Sequence, residues 1–131
     1  MRVELAIAAA GWFVLAFGHA AIGVRWVLPS LPSANLPGTP FGPPAMTLSM
    51  LRFTWHVVSI VLLAFGVIFT VLALAPDADA KTLLLRCLAG FLLAATALAA
   101  WNVRRRPSSL LRLPVPLVFV AIAVLCLAAS G

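Results

Sequence analysis

Charge is scarce in this chain. Charged residues make up 9% of its 131 positions, and only three of them are acidic. Soluble proteins carry about 25% charged residues, so a water-soluble domain of this length is excluded. The three acids are Glu4, Asp77 and Asp79, and none lies inside an apolar run. Proton-coupled export of cations by a small four-helix carrier needs an embedded carboxylate, so that class is disfavoured. Cysteine is scarce as well. Cys87 and Cys126 have no CxxC spacing, which excludes a disulfide scaffold and a thiol-redox motif. There is no nucleophile–base–acid set, no metalloprotease motif and no phosphate-binding loop. An enzyme would have to rest on His19 and His56 alone.

What is present is apolar. The hydrophobic fraction is 64%, against roughly 45–50% in ordinary globular chains. That excess also excludes intrinsic disorder, which requires few hydrophobic residues. The solvent this composition calls for is lipid.

Four apolar runs cover residues 5–28, 51–75, 82–101 and 114–130. A helix of about 20 residues crosses the hydrocarbon core, within a range of ~17–25. Each run suits one crossing, the fourth only just. Helix is required, because a lone strand leaves its backbone polar groups unsatisfied in hydrocarbon. The expected fold is thus a single all-α domain over residues 1–131, an antiparallel bundle of four transmembrane helices. Arg2 followed by an apolar stretch resembles a secretory leader. The run continues to Leu28, longer than the ~7–15 residue core of a signal peptide, and reads as a span.

The first connection, 29–50, holds six prolines, at 29, 32, 37, 40, 43 and 44, which deny it a continuous helix. The second, 76–81, is a short polar hairpin. The third, 102–113, contains Arg104, Arg105 and Arg106, suited to anionic headgroups. Ser108 and Ser109 suit the cap of a short amphipathic helix there. Arg2, Lys81 and Arg86 fall on one side of the membrane. Arg25, Arg52, Arg104, Arg105, Arg106 and Arg112 fall on the other. The positive-inside rule places the arginine-rich side in the cytoplasm of a bacterial inner membrane and both termini outside.

Polar residues inside a span are costly and point to function. His19 and His56 lie at depths of about 13 and 8 Å from the same membrane face, at 1.5 Å per residue. Arg52, His56, Ser59, Leu63, Gly66 and Thr70 share one helical stripe, as do Trp12, Ala16, His19, Gly23 and Trp26. Both stripes are expected to face protein. Two imidazoles on neighbouring helices suit axial ligation of a b-type haem. They serve equally well as hydrogen-bonding glue between helices.

Arg25 and Arg52 have no acid on their own side. With Ser59 and the indoles of Trp26 and Trp55 they form a candidate site for an anion or an anionic lipid headgroup. Trp26, Trp55 and Trp101 also suit an interfacial aromatic belt. Cys87 and Cys126 fall at similar depth, which permits a disulfide between them. Alanine and glycine crowd the third run, which suits close packing within the chain or in a homo-oligomer. The reading that results is a small membrane protein binding haem or an anionic lipid between its first two helices through His19 and His56. The other readings are an accessory or assembly subunit of a membrane complex and a small oligomeric transporter. Nucleic acid is not an expected partner.

Overall fold

The computed structural model describes residues 2–40, 42–76, 78–103 and 115–131. Among the described residues four α-helices follow in order. They are α1 (Val3–Ile22), α2 (Pro44–Leu74), α3 (Asp79–Val103) and α4 (Val115–Ala128). A π-helical turn, Gly23–Val27, extends α1, and a single 3-10 turn, Ser33–Asn35, lies in the first connection. Among the described residues there is no strand, only an isolated bridge between Thr39 and Gly42.

Among the described residues three helical segments are long and apolar enough to cross a membrane: Val3–Val27, Pro44–Leu74 and Asp79–Trp101. The fourth helix is shorter. Its 14 residues rise about 21 Å at 1.5 Å per residue, less than the ~30 Å hydrocarbon core. Of the four expected spans, three are long helices, and the fourth, expected only just to fit, is short.

The boundary of the first connection needs correction. Residues 44–50 were expected to be loop and are the first two turns of α2. Proline at the first helical turn gives up an N–H that has no intrahelical acceptor there, and its fixed φ suits the helix. Pro44 takes that place, no proline follows it within α2, and the Met46 N–H donates to the Pro43 carbonyl at 2.8 Å. The Thr47 hydroxyl donates to the Pro37 carbonyl at 3.0 Å, tying the preceding segment to this first turn. Arg104, Arg105, Arg106, Arg112, Ser108 and Ser109 of the third connection lie outside the described residues, as does Asp77.

The chain divides into two compact units, Met1–Gly11 with Gly66–Gly131, and Trp12–Phe65. In the first, α3 packs along α4. Its fully buried side chains include Leu5, Phe69, Leu85, Leu92, Ile122 and Cys126. Cationic side chains close its helix ends. The Arg2 N–H donates to the Ala73 carbonyl at 3.1 Å and its Nη1 to the Ala129 carbonyl at 3.0 Å. Lys81 is only 7% exposed and its Nζ donates to the Ala75 carbonyl at 2.9 Å, just past the end of α2. Cations at helix C-termini offset the orphan carbonyls and the helix dipole. Lys81→Met keeps the aliphatic stem and removes this donor. It is expected to cost about 1 kcal/mol, read as a lowered melting temperature in detergent.

In the second unit, Trp12 of α1 stacks on Phe65 of α2 with ring centroids 4.8 Å apart and planes 22° apart. Ala16 and Gly23 are buried further along the same edge of α1. Two hydroxyls of the long apolar helices bond within their own helices. Thr70 donates to the Gly66 carbonyl at 2.9 Å and Thr96 to the Leu92 carbonyl at 2.8 Å. This back-bonding satisfies a hydroxyl in an apolar surrounding without any partner from outside.

Candidate functional site

The second unit brings three of the sequence-selected polar and aromatic residues into one cluster. His19 Nδ1 lies 2.9 Å from Ser59 Oγ. The imidazole stacks on the Trp55 indole, centroids 4.3 Å apart and planes 13° apart. Trp55 Nε1 donates to the His19 backbone carbonyl at 2.9 Å. Ser59 Oγ donates to the Trp55 carbonyl at 3.1 Å. His19, Trp55 and Ser59 thus form a closed circuit between α1 and α2, with each link made by a different group.

Gly23 makes the circuit possible. A Cβ at this position would overlap Nε1 and Cε2 of the Trp55 indole. Only a bare α-carbon lets the indole lie against α1 at this level, one turn beyond His19. At Gly23 the helix also changes pitch. The Leu28 N–H bonds the Gly23 carbonyl at 2.8 Å, a five-residue rather than four-residue step. π-turns often sit at functional positions.

The wider turn explains a departure from the expected α1 stripe. Trp12, Ala16 and Gly23 are buried and His19 is half-buried, as the stripe requires. Trp26 is 63% exposed. A π-turn adds about one residue per turn, so the inward direction passes from Trp26 to Val27 and Leu28. Leu28 is buried.

The α2 stripe is corrected more substantially. Arg52, His56, Leu63 and Thr70 are all exposed. The inward stripe is Trp55, Ser59, Leu62, Gly66, Phe69 and Ala73, each buried or half-buried. At 3.6 residues per turn its centre lies roughly 60° around the helix from the expected one. Polarity misled the phase assignment. Aromatic and small residues fill this interface, and the two most polar members of the expected stripe sit where α2 runs beyond its most apolar section.

Placed residue by residue, the candidate set falls into two groups. His19, Trp55 and Ser59 meet in the circuit. His56, Arg25, Arg52 and Trp26 are exposed. The first three of these have no hydrogen-bond or ion-pair partner among the described residues. His56 neighbours Trp55 in sequence but points about 100° away from it around α2. Gly23 meets Trp55, so Arg25 and Arg52 both lie within one helical turn of that contact level. No carboxylate occurs anywhere in residues 12–65.

Cys87 is exposed on α3 and Cys126 is buried on α4, and both thiols are free. Among the described residues no group of three or more His, Cys, Asp or Glu side chains is gathered as a metal site would need. An open cleft of about 610 Å³ lies at the start of α1, lined by Arg2, Glu4 and residues 73–76. Its Arg2 is already engaged with helix-end carbonyls.

Sequence reading placed Gly23 on the inward stripe of α1 but not against Trp55. The signal was available in its place between His19 and Arg25, but nothing in one helix names the side chain that will lie against it. Comparison with known protein families, with characterised proteins and with solved structures gives no match to this chain.

Proposed function

We propose that this chain is a small four-span protein of the bacterial inner membrane, both termini outside the cytoplasm, that binds an anionic lipid headgroup at one end of its first two helices. Arg25, Arg52 and His56 receive the phosphate, and Trp26 anchors the neighbouring interface. The observation that carries this reading is the exposure of these three nitrogen-bearing side chains at one level of a unit without a single carboxylate. Arginine donors match phosphate oxygens in bidentate fashion, and an exposed indole favours the headgroup zone. The circuit of His19, Trp55 and Ser59 fixes α1 against α2 and so sets the level at which Arg25 and Arg52 stand.

Haem held by both histidines is the weaker reading of the same residues. His19 turns inward onto Trp55, whereas His56 stands on an outward direction of α2, so the two imidazoles are not brought to one site.

The test is lipid retention. The protein is purified from vesicles of equal phosphatidylglycerol and phosphatidylcholine, and bound lipid is read by native mass spectrometry. Wild type is expected to retain phosphatidylglycerol preferentially. The Arg25→Gln/Arg52→Gln variant is expected to lose about 2 kcal/mol of that preference, at about 1 kcal/mol per basic residue near the surface, or roughly 30-fold. Raised salt should weaken the wild-type preference, since exposed charge contacts are screened. Equal retention by wild type and variant overturns the lipid site and leaves the accessory-subunit role. A Soret band after haem supplementation would instead select the haem reading.

A further inference from the structure

The proton count in the α1–α2 circuit bears on the tautomer of His19. A serine hydroxyl has one proton to donate. Ser59 gives its proton to the Trp55 carbonyl, so at the 2.9 Å contact with His19 its oxygen accepts. With the serine proton on that carbonyl, Nδ1 carries the N–H and the lone pair of the neutral ring is at Nε2. That nitrogen has no hydrogen-bond partner among the described residues.

Its depth narrows what can reach it. In the spanning segment Val3–Val27, His19 is four residues from the midpoint, about 6 Å along the axis. The hydrocarbon half-thickness is about 15 Å. Phospholipid hydroxyls stay at the headgroup level, so a lipid-borne donor that reaches Nε2 at this depth is one carried on an apolar molecule dissolved among the acyl chains. Stacked indole and imidazole rings beside it offer an aromatic surface to a flat ring.

We propose that His19 Nε2 is the hydrogen-bond acceptor of a binding site for a membrane-dissolved phenolic lipid of the hydroquinone type. The site is independent of Arg25 and Arg52. It uses the nitrogen that the helix circuit leaves over, while Ser59 acts as a positioning residue that holds the tautomer. Binding alone is proposed, with the phenolic O–H donating to Nε2.

The test is ¹⁵N NMR of histidine-labelled protein in phosphatidylcholine vesicles, using His56→Gln so that His19 reports alone. Wild type, with two sets of signals, repeats the measurement. Without ligand, Nδ1 is expected to be protonated and Nε2 bare. A short-chain alkyl hydroquinone should shift the Nε2 resonance saturably toward the hydrogen-bonded range, while its dimethyl ether, which has no donor, should not. Ser59→Ala should populate both tautomers. A protonated Nε2 in the ligand-free protein overturns the proposal. So does an unmoved Nε2 signal with hydroquinone, or an equal shift with the ether. A single unchanged tautomer in Ser59→Ala removes the assigned role of that hydroxyl.

Discussion

Gly23→Leu is expected to separate α1 from α2 at the His19 level. Even a single methyl group at this position would occupy the volume of Trp55 Nε1 and Cε2. The indole has to leave, and three things go with it: the bond from Nε1 to the His19 carbonyl, the stack on the imidazole, and the close approach of the helices. Forced overpacking costs about 1–3 kcal/mol. The lost hydrogen bond adds about 1 kcal/mol, and the lost aromatic stack about 0.5–1.5 kcal/mol. A destabilisation of about 4 kcal/mol is expected. It is read by the shift of the unfolding midpoint in mixed detergent micelles, along with changed Trp55 fluorescence against a background of Trp12, Trp26 and Trp101 replaced by Phe. Gly23→Ala is expected to retain part of this cost, because its Cβ meets the same atoms. An unaltered midpoint in both variants would mean that the indole is not seated against α1.

Trp12→Ala carries a comparable penalty by the opposite route, by emptying space. Trp12 is 2% exposed and stacks on Phe65. In hydrocarbon the helices gain little from burying apolar surface, so association rests on packing contacts and hydrogen bonds. The loss therefore falls mainly on packing, and the lower end of the range for a buried tryptophan, about 3 kcal/mol, is expected. Phe65→Ala tests the stack separately. In a double-mutant cycle the two should couple by about 1 kcal/mol. Additive effects would show that the rings do no more than fill volume.

These two residues also mark where sequence reading succeeds and where it stops. Apolar runs broken by prolines and short polar segments were enough to locate the helices, because the membrane leaves helix as the open choice for such runs. Trp12, Ala16 and Gly23 were legible as one stripe of α1 because three or four residues return to the same face. Rotation of α2 was not legible. Arg52 and His56 were placed inward on the premise that a polar group shuns lipid. Near the end of a long helix it can instead stand outward and meet headgroups. The linking of His19 with Trp55 and Ser59 depends on register between two helices. Spacing within each helix says nothing about that register. The extent of α2 turned on one residue, Pro44, whose meaning differs between a loop and a helix's first turn.

Residues 12–65 form a unit that is continuous in the chain, whereas the other unit joins residues 1–11 to residues 66–131. During synthesis the continuous unit can acquire its Trp12–Phe65 and His19–Ser59 contacts as soon as α2 leaves the ribosome. The bond from Arg2 to the Ala129 carbonyl closes a separation of 127 residues and has to wait for the last turn of α4. Local contacts form before distant ones, and loop-closure entropy delays the latter. The order of assembly is thus written in the topology: a helical hairpin matures first, and Arg2 is fastened last.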